Sequence, residues 1–181
     1  MHPDYEYWKN LFLETNRTFL EVENSLLENN TNERTLCGSL AQMLKVKLDK
    51  TPYSEYRVDV EFNRNDGKIK TILNDQHEVV SVNCDLIIHS RGQNIAQDNI
   101  LALEMKKTSQ PSERKKTDRD RVRILTKDSF DNIWSYDGRT FPEHVCRYIV
   151  GVYYELDIPR RKISMEFYSS GEYVEMTNAE F

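Results

Sequence analysis

No window of the 181-residue chain approaches the roughly 20 consecutive apolar residues that a membrane-spanning helix needs. The N-terminus, MHPDYEYWKN, carries acids early and has no apolar run behind a basic start, so a secretory leader is not expected. A cytoplasmic protein with no membrane partner follows as the expectation. Cysteine is scarce: Cys37, Cys84 and Cys146 are odd in number and far apart, which argues against a disulfide framework or a zinc knuckle and for buried thiols. Internal repeats, low-complexity tracts and linkers are absent, and at this length one domain spanning residues 1–181 is expected, with 1–30 an additional N-terminal helix. Positive charge is also short overall, the net charge being -5, which by itself weighs against a phosphate-rich partner.

What is present is unevenly distributed. Hydrophobic residues make up 38% and charged residues 30%, the balance of a globular chain with a heavily charged surface. Nine Lys or Arg against four acids fall between Glu104 and Lys127, so that segment is +5 and the remainder is -10. From Tyr5 to about Leu27, apolar residues at spacings near three and four, with no Gly or Pro, predict one amphipathic helix. ENNTN then supplies a loop and a cap for a second helix, ERTLCGSLAQMLKVKL, with Leu36, Leu40, Met43, Leu44 and Leu48 on one stripe. Past Pro52 the period changes to two. YRVDVEF predicts a half-exposed strand, NDGK a hairpin turn, KIKTIL a short strand, and EVVSVNCDLIIHS and NILALEMKK two strands apolar enough on both faces to be central. Pro111 opens a charged helix. After a loop holding Trp134 and the turn YDGRTFP come two more strands, YIVGVYYEL and KISMEFYS. The order predicts an α/β (α+β) fold, a central mixed β-sheet flanked by α-helices.

Two features interrupt the central strands. Asp85 breaks the apolar run of VNCDLIIH, where an ionised carboxylate is costly to desolvate without compensation. Glu104 and Lys106 end NILALEMKK on one face, since side chains alternate with period two. The plain reading is a strand surfacing into water. The chemical reading is a pair of carboxylates and a lysine at the end of a rigid sheet. Mg²⁺, a hard cation taking oxygen ligands, is served by two such carboxylates, a backbone carbonyl and a scissile phosphate. The metal would activate water, with Lys106 orienting or deprotonating it and countering the developing charge.

These residues resemble the PD-(D/E)XK nuclease superfamily, whose pattern is an acid on one strand followed by (D/E)xK on the next: here Cys84-Asp85 and Glu104-Met105-Lys106. The resemblance covers roughly residues 32–156, with Cys84 in place of the motif's proline. It implies a restriction-endonuclease-like fold and a Mg²⁺-dependent nuclease, Mn²⁺ substituting, with Asp85 and Glu104 as metal ligands and Lys106 as catalytic lysine. It also implies a further acid from the helix before the strands, for which Glu33 is the candidate, being three and seven residues before Leu36 and Leu40. An ordinary first-turn acid favoured by the helix dipole explains Glu33 equally. The letters alone carry little, because Asp66–Lys68 and Glu113–Lys115 match (D/E)xK too, in a turn and a first helical turn. His89 lies four residues beyond Asp85, roughly 13 Å along a strand, and reads as structural.

The charged helix follows the EMK strand directly, which makes Lys115, Lys116, Arg119 and Arg121 candidate phosphate contacts, with a solvated face as the alternative given the interleaved Asp118 and Asp120. Tyr53, Tyr56, Tyr136, Tyr153 and Tyr154 could stack bases, though strand tyrosines more often pack. The expected partner is nucleic acid, DNA favoured. A chain this small has little room for target recognition, so the expectation is either cutting of low specificity or a target supplied by a homodimer mate or larger complex. The superfamily's small stand-alone members point to bacterial or phage defence or DNA processing, and the rival reading is an inactive nuclease-fold subunit that binds nucleic acid or a protein.

Overall fold

The computed structural model describes residues 1–65, 67–130, 134–135 and 142–181. Two helices open it. α1 (Tyr5–Val22) buries Trp8, Leu11, Phe12, Phe19 and Leu20, and a second piece, α2 (Asn24–Glu28), continues it. The single helix expected to Leu27 is broken at Glu23, whose carboxylate accepts from Ser39 Oγ at 2.6 Å instead of staying in solvent. α3 (Glu33–Leu48) has the expected bounds, and the Asn32 side chain caps it by accepting from the Thr35 N–H at 2.9 Å.

Six strands form the central sheet in chain order: β1 (Arg57–Val60), β2 (Leu86–His89), β3 (Asn99–Lys107), β4 (Val150–Asp157), β5 (Lys162–Ser169) and β6 (Glu172–Glu180). β1 with β2 and β2 with β3 pair antiparallel, β4 is parallel to β3, and β5 and β6 return antiparallel. The parallel β3–β4 pair requires a crossover, which α4 (Ser112–Leu125) supplies.

The long strand expected from Glu78 to Ser90 is two pieces. Val79–Ser81 pairs with Thr71–Leu73 in a separate hairpin, and only Leu86–His89 joins the central sheet. β1 also stops early, because Glu61 takes a left-handed backbone (φ 52°). Arg64–Asn65 pairs with Lys68–Ile69 around the expected hairpin turn, whose Asp66 lies outside the described residues. So do Tyr136 and the turn YDGRTFP up to Phe141, while Trp134 belongs by its backbone to a short pair with Ser129–Phe130. β6 was not expected.

α1 and α3 cover one face of the sheet, packing on Leu101, Leu103 and Met105 of β3 and on Val150, Val152, Tyr154 and Leu156 of β4. α4 covers the other face, with Ile124 and Leu125 against Ile87 and Ala102. The fit there is close: a Cβ on Gly151 would stand 2.6 Å from Val122 Cγ1 and 3.0 Å from the Val122 carbonyl. Among the described residues no helix is long and apolar enough to cross a membrane. The three thiols are free and buried.

Candidate active site

The antiparallel register pairs Leu86 with Leu103, so Asp85, one residue outside β2, stands beside Glu104. Its carboxylate does not enter the strand ladder. Oδ2 accepts from the Met105 N–H at 2.8 Å and lies 3.4 Å from Lys106 Nζ. This turning-in of the side chain is what ends β2 at Leu86.

Glu104 is 1% exposed and faces α4. Lys106, two residues on, points to the same side, where its Nζ lies 3.9 Å from Glu104 Oε2 and 3.7 Å from Asp118 Oδ2 and donates to the Met105 carbonyl at 3.1 Å. The sheet thus presents Asp85, Glu104 and Lys106 together, as the sequence predicts.

Two further members come from α4. Asp118, 6% exposed, and Arg121 stand one turn apart on its inner side, and Arg121 Nη1 donates to Glu104 Oε1 at 2.7 Å and to Asp118 Oδ1 at 3.0 Å. Three carboxylates and two cations therefore share one half-buried space. The sequence reading missed Asp118, counting it as counter-charge on a solvated face; the signal was its i, i+3 spacing to Arg121 on the helix entered directly from the EMK strand.

The electrostatics follow from this crowding. Burial pushes the Glu104 carboxyl up to about 8, and the negative charge of Asp85 adds to that effect against the pull of Arg121. For Lys106, burial works to lower the ammonium, but Asp85, Glu104 and Asp118 outweigh it and hold it above the usual lysine range. Lys106 is thus a fixed cation at neutral pH. On the far side of the strand, burial pushes the Cys37 thiol well up, with Asp85, Glu104 and Glu33 contributing, so it is an inert packing group against Met105.

Glu33 does reach this end of β3, but it binds backbone: its Oε1 accepts from the Lys107 N–H at 3.0 Å. Its charge nevertheless acts on Lys106 together with those of Asp85, Glu104 and Asp118. The basic helix is also placed differently from a phosphate-facing surface. Lys115 Nζ lies 3.1 Å from Glu155, and Arg119 makes a two-oxygen contact with Glu166 at 2.9 and 3.0 Å while covering the Tyr153 ring at 4.1 Å. Arg121 sits in the acid cluster. The 115, 119, 122 spacing is the inner face of α4, which is why these cations meet the sheet; Lys116 is exposed. Tyr56, Tyr153 and Tyr154 are buried, and Tyr53 packs against Trp8, so none of these four offers a free stacking face. His89 is structural, 2.9 Å from Asp59 and edge-on to Phe62.

The donor set suits a hard cation. Among the described residues no group of three or more His, Cys, Asp or Glu forms a ready cage. Mg²⁺ does not need one, because it binds through one or two carboxylates and keeps the rest of its shell as water and phosphate oxygens. Asp85 and Glu104 are two carboxylates side by side, with Glu104 desolvated beside a second acid. Compared against family models, curated proteins and solved structures, the chain has no match.

Proposed function

We propose that the protein is a Mg²⁺-dependent nuclease of restriction-endonuclease-like fold that hydrolyses phosphodiester bonds, DNA being the favoured substrate. The observation that carries this reading is the convergence of Asp85, Glu104 and Lys106 within 4 Å of the lysine nitrogen at one end of the central sheet. Support at the level of the fold comes from the element order, a helix, a three-strand meander, a helical crossover and a further strand, which is the order the resemblance implies.

In this reading Asp85 and Glu104 hold the metal and are kept in place by the Met105 N–H and Arg121. When bound there, Mg²⁺ would supply Lewis-acid charge to the scissile phosphate. Lys106, held charged, donates to the attacking water or a phosphate oxygen and offsets the charge that builds on the phosphate. It is a positioning cation and not a base, because its proton is stabilised by Asp85, Glu104, Asp118 and Glu33. Asp118 and Arg121 hold Glu104 and Lys106 in register from α4.

The test is cleavage of plasmid and single-stranded DNA by the purified protein with Mg²⁺. EDTA is expected to abolish it, and Lys106→Ala to reduce it by about 10²-fold or more, in line with loss of one transition-state charge contact. Undiminished cleavage by the alanine variant sinks the mechanism.

One observation favours a second reading, a nuclease-fold subunit that binds without cutting. Arg121 already occupies Glu104 Oε1 at 2.7 Å, where a metal would bind. Titration calorimetry separates the two: saturable Mg²⁺ heat that Glu104→Gln removes supports the enzyme, and no heat supports the binding subunit.

A further inference from the structure

A second charged site lies at the opposite end of β2 and takes no part in the nuclease reading. Its centre is Lys70, between the two small hairpins, with a backbone fixed on both sides: its N–H donates to the Asn63 carbonyl at 2.8 Å and its carbonyl accepts from Val82 at 2.9 Å. That ties the side chain inward. Lys70 is 2% exposed, and its Nζ makes one hydrogen bond, to Tyr148 Oη at 3.0 Å. Among the described residues no carboxylate stands within ion-pair distance of it. A buried ammonium offers three N–H donors and is costly to leave without a counter-charge. Burial accordingly holds it below the usual lysine range.

The space it borders has a volume of about 330 Å³ and is lined also by Phe62, Arg64, His89, Arg91 and Asp98. Phe62 is the shared wall, with Lys70 Nζ 5.5 Å and Arg91 Cζ 5.6 Å from its ring centre. Arg91 is held by Asp59 through both arms, its Nε donating to Oδ2 at 2.7 Å and its Nη2 to Oδ1, which leaves Nη1 open. Asp98 is turned away into its own loop, accepting from Ser90 Oγ at 2.5 Å and the Gly92 N–H at 2.8 Å. His89 is neutral at physiological pH, since burial and the nearby Lys70 lower it. Among the described residues Lys70, Arg64 and Arg91 line the cavity against Asp98, with Asp59 paired to Arg91, an excess of one positive charge in a space at the lower end of small-molecule sites, ~300 to 1,000 Å³.

We propose that this cavity binds a phosphate group, with Lys70 as its buried anchor and Arg64 and Arg91 closing on it from the rim. An ammonium with two unused donors beside two guanidiniums matches tetrahedral phosphate oxygens and their negative charge. The phosphate is that of a small phosphorylated molecule or free phosphate; both present the same chemistry to Lys70. The site is independent of metal at Asp85 and Glu104.

The test is titration calorimetry on the full chain in phosphate-free buffer with EDTA, using inorganic phosphate, a nucleoside 5′-monophosphate and the unphosphorylated nucleoside. Saturable binding of either phosphate probe and none of the nucleoside is expected, and the two phosphate arms show whether the group alone suffices. Lys70→Met, which keeps the volume and removes the buried charge, is expected to weaken binding by about tenfold or more while circular dichroism stays unchanged. Arg64→Ala, at an exposed position, is expected to weaken it several-fold and serves even where the Lys70 variant folds poorly. No saturable binding of either phosphate probe overturns the proposal, as does wild-type affinity in folded Lys70→Met or in Arg64→Ala.

Discussion

Glu104 is the residue on which the energetics of the cluster turn. In an unfolded chain its carboxyl titrates near ~4.3, whereas in the fold burial and Asp85 raise it to about 8. Between those values the native state keeps a proton that the unfolded state has released, so stability falls as pH rises, by at most about 1.4 kcal/mol per pH unit. Below the lower value both states are protonated and the penalty vanishes. Thermal melts in EDTA from pH 5 to pH 8 are expected to show this decline in the wild type and a flatter profile in Glu104→Gln; parallel profiles would contradict the assignment. Asp85, Glu104 and Lys106 were legible in the sequence because strand alternation alone puts Glu104 and Lys106 on one side and makes an acid in an apolar run conspicuous. Asp118 and Arg121 were not, since an acid and a base three apart on a helix look the same whether they face water or a sheet. Lys70 was equally hidden: in KIKTIL it reads as a polar strand residue, and only the hairpin contacts to Asn63 and Val82 turn it inward.

The elements that carry these residues depend on two local fits. α4 lies against β4 at Gly151, where a methyl group would meet Val122 at 2.6 Å. Gly151→Ala is expected to destabilise the protein by about 1–3 kcal/mol through overpacking. It would also lift Asp118 and Arg121 from Glu104, so cleavage should fall further than the loss of folded protein explains. Denaturant midpoints together with activity per folded molecule check both. α3 depends on its cap, and Asn32→Ala is expected to lose about 1 kcal/mol in the same measurement. α3 was readable to the residue because the Asn32 cap and the leucine stripe agree. β6 was not, because its exposed and half-buried positions, Tyr173, Val174, Glu175 and Met176, show no clean apolar alternation; it exists because Ser170 and Gly171, both with positive φ, turn the chain back along β5. The break of β2 at Asp85 was invisible for a related reason: its cause is a hydrogen bond to Met105, twenty residues away in sequence.

Across the whole molecule, the +5 segment read as a phosphate surface is largely matched by acids of the fold. Lys115 and Arg119 meet Glu155 and Glu166, Arg121 meets Glu104 and Asp118, and Arg123 and Lys127 meet Asp75. Arg114 and Lys116 remain exposed on the outer side of α4. Duplex DNA binding should therefore show a shallow salt dependence, with log K against log salt falling at a slope of about -2, the value for two phosphate contacts. A slope steeper than about -5 in filter-binding or anisotropy measurements would mean that the ion pairs open to receive DNA. Sequence composition located the positive charge correctly but could not tell which side of the helix the sheet would claim. The central claim is that one end of this sheet is a metal site, and anomalous diffraction from a crystal soaked in Mn²⁺ tests it most directly. The account predicts an anomalous peak shared by the carboxylates of Asp85 and Glu104 on the Lys106 side of β3; a fully soaked crystal with that position empty, or with its manganese bound elsewhere, would contradict it.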